Sequence, residues 1–205
     1  MNLEKLKRAE SAFLTVYPKG FADPAMKAVR SKHNVHRLIG YTQEALTPVS
    51  CQQPDHVAET LLRIVSRSSM VSRFEKPRFR EFIGSLGSYE RETLAYALEQ
   101  RLFGKKQRGF ELFQGMLAQY KIAKWAVISA VPFYFAPRRE VFVKPTTAKG
   151  IIAFLEVDGL TYGASPTWSF YRGYRNLLAQ VRREVSPSLS PSYAALSGFL
   201  MMSIR

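Results

Sequence analysis

Residues 107–132 read QRGFELFQGMLAQYKIAKWAVISAVP, and this stretch decides the fold class. Its apolar residues recur at intervals of three and four, which places them on one face of an α-helix; they are Phe110, Phe113, Leu117 and Tyr120. After Trp125 the sequence is almost entirely apolar, as in a helix that is buried on all sides. We therefore predict one long central helix over 107–130, which Pro132 ends or kinks because proline lacks a backbone N–H.

Helical patterns continue on both sides of this central segment. Capping residues and prolines at the first helical position mark further helix starts; these lie at Asp23, Pro54, Pro77, Ser88, Thr146 and Ser165. The chain closes with a Ser/Pro connector and a short apolar helix. The sequence thus predicts a mainly α-helical globule, with residues 1–205 forming a single domain.

The exception to the helical pattern is the segment REVFVKPTTAKG at 139–150. Val141, Phe142 and Val143 favour an extended strand, and the proline after Lys144 disfavours helical geometry at that lysine. A helix capped by Thr146 is expected to follow directly. The fold class is therefore all-α with at most a small β element near residues 140–144.

The net charge of +14 on 205 residues is the strongest global feature of the sequence. Residues 101–150 carry ten basic and two acidic side chains, whereas residues 51–100 carry seven of each. Such an excess indicates an anionic partner, which would be nucleic acid, a membrane surface or an acidic protein. The alternative is that the charge serves solubility alone.

Cysteine content and hydropathy indicate where the protein resides. Cys51 is the only cysteine, which favours a reducing compartment. The first residues lack the apolar core of a secretion signal, and no apolar stretch reaches the ~20 residues of a membrane span. We expect a cytoplasmic protein without a membrane span, whose apolar C-terminal segment SGFLMMSI (197–204) docks in the core or in a homo-oligomer interface.

A search for metal ligands and nucleophiles gives no catalytic prediction. His33 and His36 share a helical spacing, and Cys51 with His56 would complete a four-ligand set for zinc. Their spacing fits no standard zinc pattern, so we predict no metal site. The sequence around the Cys51 thiol matches no motif of a catalytic nucleophile. The sixteen acidic residues are not part of a distinguishing motif, so no acid–base pair can be selected among them. Cofactors and catalytic residues are left open.

Two groups of arginines are candidates for nucleic-acid binding. The stretch SRSSMVSRFEKPRFREF (66–82) interleaves basic and aromatic residues, as single-stranded nucleic acid requires. The second group lies on the helix after Ser165, where the long connection DGLTYGAS (158–165) argues against a helix-turn-helix. The candidates are Arg67, Arg73, Arg78, Arg172 and Arg175. The alternative for the first stretch is that Phe74, Phe79 and Phe82 are core residues while Glu75 and Glu81 pair with the arginines.

The segment KPTTAKG (144–150) is a candidate anion site at a helix start. It is not a P-loop, because the lysine precedes the glycine. Lys144, Thr146, Thr147 and Lys149 would meet an anion together with the free N–H groups of the first turn. The alternative is a strand-to-helix junction without a ligand.

These observations leave two classes of function. The first is a non-enzymatic binding or scaffolding protein whose basic surface meets nucleic acid or another anionic partner. The alternative is an enzyme or sensor for a small phosphorylated or carboxylated ligand that binds near residues 144–150.

Overall fold

The computed structural model describes residues 1–27 and 35–204. This part of the chain forms ten α-helices and four short 3₁₀ turns, and it contains no β-strand. The helices are α1 Leu3–Val16, α2 Val35–Ala45, α3 Pro54–Arg67, α4 Glu75–Ser85, α5 Ser88–Leu102, α6 Lys106–Gln119, α7 Trp125–Phe135, α8 Pro145–Phe154, α9 Trp168–Glu184 and α10 Tyr193–Ser203. The 3₁₀ turns are Gly20–Ala22, Pro24–Met26, Ser50–Gln52 and Pro187–Leu189.

A single hydrophobic core includes side chains from all ten of these helices. Helix α7 lies at its centre, because every residue from Trp125 to Tyr134 is buried. It contacts α2, α3, α5 and α6. The prediction of a mainly α-helical globule, with a buried helix after Trp125, is therefore confirmed.

The prediction of one long helix over 107–130 is wrong, because α6 and α7 are separate helices. The chain turns at Lys121, which adopts a left-handed φ of 57°. The N–H groups of Lys121 and Ile122 donate to the carbonyls of Ala118 and Leu117, each at 2.9 Å. This is the Schellman arrangement that ends helices, here with a lysine in place of the usual glycine. Pro132 lies inside α7, three residues before its end.

The strand predicted at 141–143 does not form. The N–H of Val141 donates to the Tyr171 hydroxyl at 3.3 Å, and the N–H of Val143 donates to the Ser129 hydroxyl at 3.0 Å. Side chains of α9 and α7 thus satisfy backbone groups that would otherwise need a neighbouring strand. The segment is a buried connection, since both valines have no exposed surface.

Several helix boundaries differ from the predictions. Helix α8 begins at Pro145 without a side-chain cap, so Thr146 is not its capping residue. Helix α9 begins at Trp168 instead of at Ser165, because the Thr167 hydroxyl accepts from the N–H of Phe170. At the helix predicted from Asp23, the Asp23 carboxylate caps only a 3₁₀ turn. Residues 28–34 of that prediction lie outside the described residues.

The apolar C-terminal segment is docked within the chain. Leu196, Phe199 and Leu200 of α10 have no exposed surface, and the helix contacts α1, α8 and α9. None of the helices in the described ranges is long and apolar enough to cross a membrane.

Candidate nucleic-acid interface

Helices α2 and α3 form a surface groove of about 400 Å³, which we call the arginine groove. Its described lining consists of Arg37, Leu38 and Tyr41 from α2 with Arg63 and Arg67 from α3. Each helix contributes a pair of residues four positions apart, and this spacing places both members of a pair on one helix face. The groove therefore follows directly from the packing of two adjacent helix faces.

No acidic side chain lies among the described residues that line the arginine groove. The guanidinium carbon of Arg63 is 4.4 Å from the centroid of the Tyr41 ring. All three arginines are exposed, and no ion pair recorded for residues 1–27 and 35–204 includes them. Three like charges at one groove repel one another, so an external anion would be stabilised there.

The floor of the groove is fixed by buried contacts of α2 and α3 with the core. Ile64 and Val65 of α3 are buried beside the exposed arginines. Just after Arg67, the Ser68 hydroxyl lies 2.8 Å from the hydroxyl of Tyr134 on the central helix α7. The Gln43 amide of α2 donates to the Phe135 carbonyl of α7 at 2.9 Å. The arginines thus project from two helices that are both anchored on α7.

The loop that leaves the arginine groove presents an exposed aromatic ring. Phe74 keeps 71% of its surface exposed, and the Arg73 guanidinium carbon lies 4.9 Å from the ring centroid. Phe79 and Phe82 are buried, so the core alternative is correct for those two residues and wrong for Phe74.

The acids of the same stretch are not in direct ion pairs with its arginines in the described structure. Among the described residues, no ion pair joins Glu75 or Glu81 to an arginine. The Glu75 carboxylate instead accepts from the N–H of Ser72 at 3.1 Å. The ion pairs expected under the core alternative are therefore not formed.

The other candidate arginines lie on different elements. Arg78 is exposed on α4 and Arg172 is exposed on α9. Arg175, also on α9, is partly exposed and lies 3.8 Å from the carboxylate of Glu140. Of the five predicted residues, the structure places only Arg67 in the arginine groove, with Arg73 in the adjoining loop.

Glu140 forms a buried charge cluster that the sequence did not reveal. Its carboxylate accepts from Arg101 and Lys106, each at 2.8 Å, and from the Tyr171 hydroxyl at 2.9 Å. Burial alone would raise the pKa of Glu140, but the hydrogen bonds and charges of Arg101 and Lys106 outweigh it and lower the pKa to about 2. This carboxylate is ionised at neutral pH and joins α5, α6 and α9.

Aromatic rings complete the environment of the buried Arg101. Its guanidinium carbon lies 5.0 Å from the Tyr171 ring centroid and 5.6 Å from that of Trp168. Two of its nitrogens, Nε and Nη1, are buried without a hydrogen-bond partner among the described residues. Cation–π attraction offsets part of that cost.

Glu140 is buried together with Arg101, so the net charge of the exposed surface does not change. Glu140 is one of only two acids in residues 101–150, and the other, Glu111, is exposed. The exposed surface contributed by this part of the chain therefore has one acid and one base fewer than the sequence count, and its net charge is the same.

The four candidate anion-binding residues lie together around the start of α8. The Lys149 ammonium is 5.0 Å from the Tyr162 ring centroid, a cation–π contact that gives this lysine a partner within the chain. The Thr147 hydroxyl contacts the Met201 sulfur at 3.8 Å, whereas Lys144 and Thr146 are exposed. Anion binding at these residues stays a prediction.

The metal and nucleophile candidates do not come together in the described structure. His33 lies outside the described residues, His36 is exposed, and His56 Nε2 lies 2.9 Å from the Ala45 carbonyl oxygen. No group of three or more potential ligands occurs in residues 1–27 and 35–204. Burial, aided by the charge of Glu99, raises the pKa of the Cys51 thiol to about 11, so this thiol is protonated at neutral pH.

Comparison of the sequence with protein-family models gives no match, and neither do comparisons with curated proteins and with solved structures.

Proposed function

We propose that this protein is a non-enzymatic binding protein that holds nucleic acid through the arginine groove. The observation that carries the proposal is the groove itself, which combines Arg37, Arg63 and Arg67 with Tyr41 and has no acid among its described lining residues. Guanidinium groups form paired hydrogen bonds with phosphate, and they stack on flat rings. A polyanion of repeating phosphates matches this arrangement.

Two further features favour a nucleic acid over a small phosphorylated ligand. The groove is open along the surface, and its neighbouring loop adds Arg73 and the exposed Phe74. The net charge of +14 also favours a large anion, because a small ligand interacts with only a few charges. A binding role also agrees with the state of Glu140 and Cys51. The Glu140 carboxylate already accepts three hydrogen bonds from side chains of this protein, and the Cys51 thiol is protonated.

The proposal includes a cytoplasmic location, and it does not include a homo-oligomer. Cys51 is the only cysteine of the sequence, and a reducing compartment suits a single thiol. Of the segment that suggested an oligomer interface, residues 197–204, Phe199 and Leu200 are already covered within the chain.

The test removes two arginines of the groove. Arg63 and Arg67 are exposed, so replacing both with alanine should leave the fold intact. A charge-assisted hydrogen bond is worth about 1.5–3 kcal/mol, so we expect affinity for short mixed-sequence DNA or RNA to fall roughly 100-fold at low salt. Fluorescence anisotropy measures the affinity directly.

The matched control removes the same charge elsewhere. Lys19 and Arg183 are exposed, and neither is among the described residues that line the groove. Their double alanine variant should lose far less affinity. Equal losses in the two variants would reduce the binding to net charge and contradict the proposal. Binding of polyglutamate or anionic vesicles, with no binding of nucleic acid, would contradict it as well.

A further inference from the structure

We infer that the strand held in the arginine groove is single-stranded and that one of its bases stacks on Phe74. This inference rests on the proposed function, and it identifies the form of nucleic acid and the base-binding residue. The position, the exposure and the support of the Phe74 ring favour this inference.

The ring of Phe74 is exposed although the residues around it are firmly held. Val71, three positions earlier, is buried. The Ser68 hydroxyl accepts from the N–H groups of Met70 and Val71, at 3.2 and 3.3 Å. The Ser72 hydroxyl then accepts from the N–H of Phe74 at 3.2 Å. The loop therefore presents an apolar ring at a defined position, which reduces the entropy lost on binding.

Phe74 and the arginine groove lie at the same end of α3. Arg67 is the last residue of that helix, and Phe74 follows seven residues later, at most about 25 Å along extended chain. Hydrogen bonds within the loop shorten this path. A strand whose phosphates meet Arg63 and Arg67 can therefore extend toward the Phe74 ring.

The pairing of Arg73 with Phe74 favours an unpaired base. The guanidinium lies over the Phe74 ring at 4.9 Å, while most of the ring surface remains open to solvent. A base in a duplex is stacked on its neighbours and cannot lie flat on a protruding ring, whereas a base in a single strand can. Arg73 adds charge for the adjacent phosphate.

The experiment replaces Phe74 with leucine, which keeps an apolar side chain and removes the flat face. Because the ring is exposed, Phe74→Leu should fold normally. Anisotropy with a single strand and with its duplex should show a roughly 5- to 100-fold loss for the single strand and no change for the duplex. Phe74→Trp should retain single-strand binding.

Tyr89→Leu is the matched control. Tyr89 is 80% exposed, and it lies two residues before Arg91. Arg91 forms an ion pair with Asp55 in the first turn of α3, which is the opposite end of that helix from Arg67. The Tyr89→Leu variant should bind the single strand with the same affinity as the unmodified protein. An unchanged single-strand affinity in Phe74→Leu, or an equal loss for the duplex, would overturn the inference and leave the arginine-groove result standing. Failure of the unmodified protein to bind any nucleic acid would overturn both proposals.

Discussion

Replacing Glu140 with glutamine tests the buried charge cluster that joins α5, α6 and α9. The substitution keeps the shape of the side chain and removes its charge. Arg101 would then be left buried without a counterion, because the carboxylate that it pairs with in the described structure is that of Glu140. A buried charge without a partner is strongly destabilising.

The expected loss can be derived from the pKa of Glu140. A pKa lowered from 4.5 to about 2 corresponds to about 3 kcal/mol of stabilisation. Removal of one partner from a buried ion pair costs about 3–5 kcal/mol in other proteins. We therefore expect Glu140→Gln to lower the free energy of unfolding by about 3–5 kcal/mol and Tm by roughly 10 °C.

The pH dependence has a defined sign. The pKa of Glu140 is lowered in the folded state, so its contribution is fully present above the ordinary value of 4.5 and disappears as pH falls toward about 2. Urea denaturation at about pH 7 and about pH 3.5 should show the stability difference between the two proteins shrinking at the lower pH.

Glu156→Gln is the control for this prediction. Its carboxylate accepts from Asn2 and Lys5, but the side chain is 55% exposed, so solvent screens the pair and little stability should be lost. Equal effects of the two substitutions, or a Glu140→Gln difference that is the same at both pH values, would refute the reasoning.

Three further predictions concern packing and reactivity. A Cβ at Gly109 would lie 2.2 Å from the Arg101 backbone nitrogen, whereas one at Gly115 of the same helix would meet no described residue within 4 Å. Urea titrations should therefore show Gly109→Ala destabilising by about 1–3 kcal/mol and Gly115→Ala stabilising by about 1 kcal/mol. Phe199 is fully buried, with its ring centroid 5.3 Å from that of Phe13, so Phe199→Ala should cost about 3–5 kcal/mol in the same assay without changing the sedimentation coefficient. Because burial raises the pKa of Cys51 to about 11, a thiol reagent at mildly alkaline pH should modify the native protein far more slowly than the urea-unfolded protein, and equal rates would contradict the burial.

Local signals in the sequence predicted most of the helices. Helix α3 begins at Pro54 and α5 at Ser88, because prolines and first-turn acids act within one turn of the chain. The break at Lys121 could not be predicted, since a lysine seldom adopts a left-handed conformation. The strand predicted at 141–143 does not form for a different reason. Hydroxyls of Ser129 and Tyr171, which are distant in sequence, accept hydrogen bonds from backbone N–H groups of this segment.

The arginine groove was predictable only in part. Arg67 was identified from its neighbours in sequence, but Arg37 and Arg63 lie on different helices, and only the packing of α2 on α3 brings them together. The pairs at four-residue spacing, Arg37 with Tyr41 and Arg63 with Arg67, were the available signal. The sequence signal for the Glu140 cluster was weaker: Glu140 is an isolated acid in a basic region, next to the apolar residues 141–143.

The salt dependence of binding tests the central claim most directly. For single strands, the logarithm of affinity falls with the logarithm of salt concentration by about 0.7 for each phosphate neutralised. The Arg63→Ala and Arg67→Ala double variant should therefore show a slope about 1.4 less steep than that of the unmodified protein. The Lys19→Ala and Arg183→Ala control should keep the original slope. Identical slopes for the unmodified protein and the groove variant would show that the arginine groove does not hold phosphate.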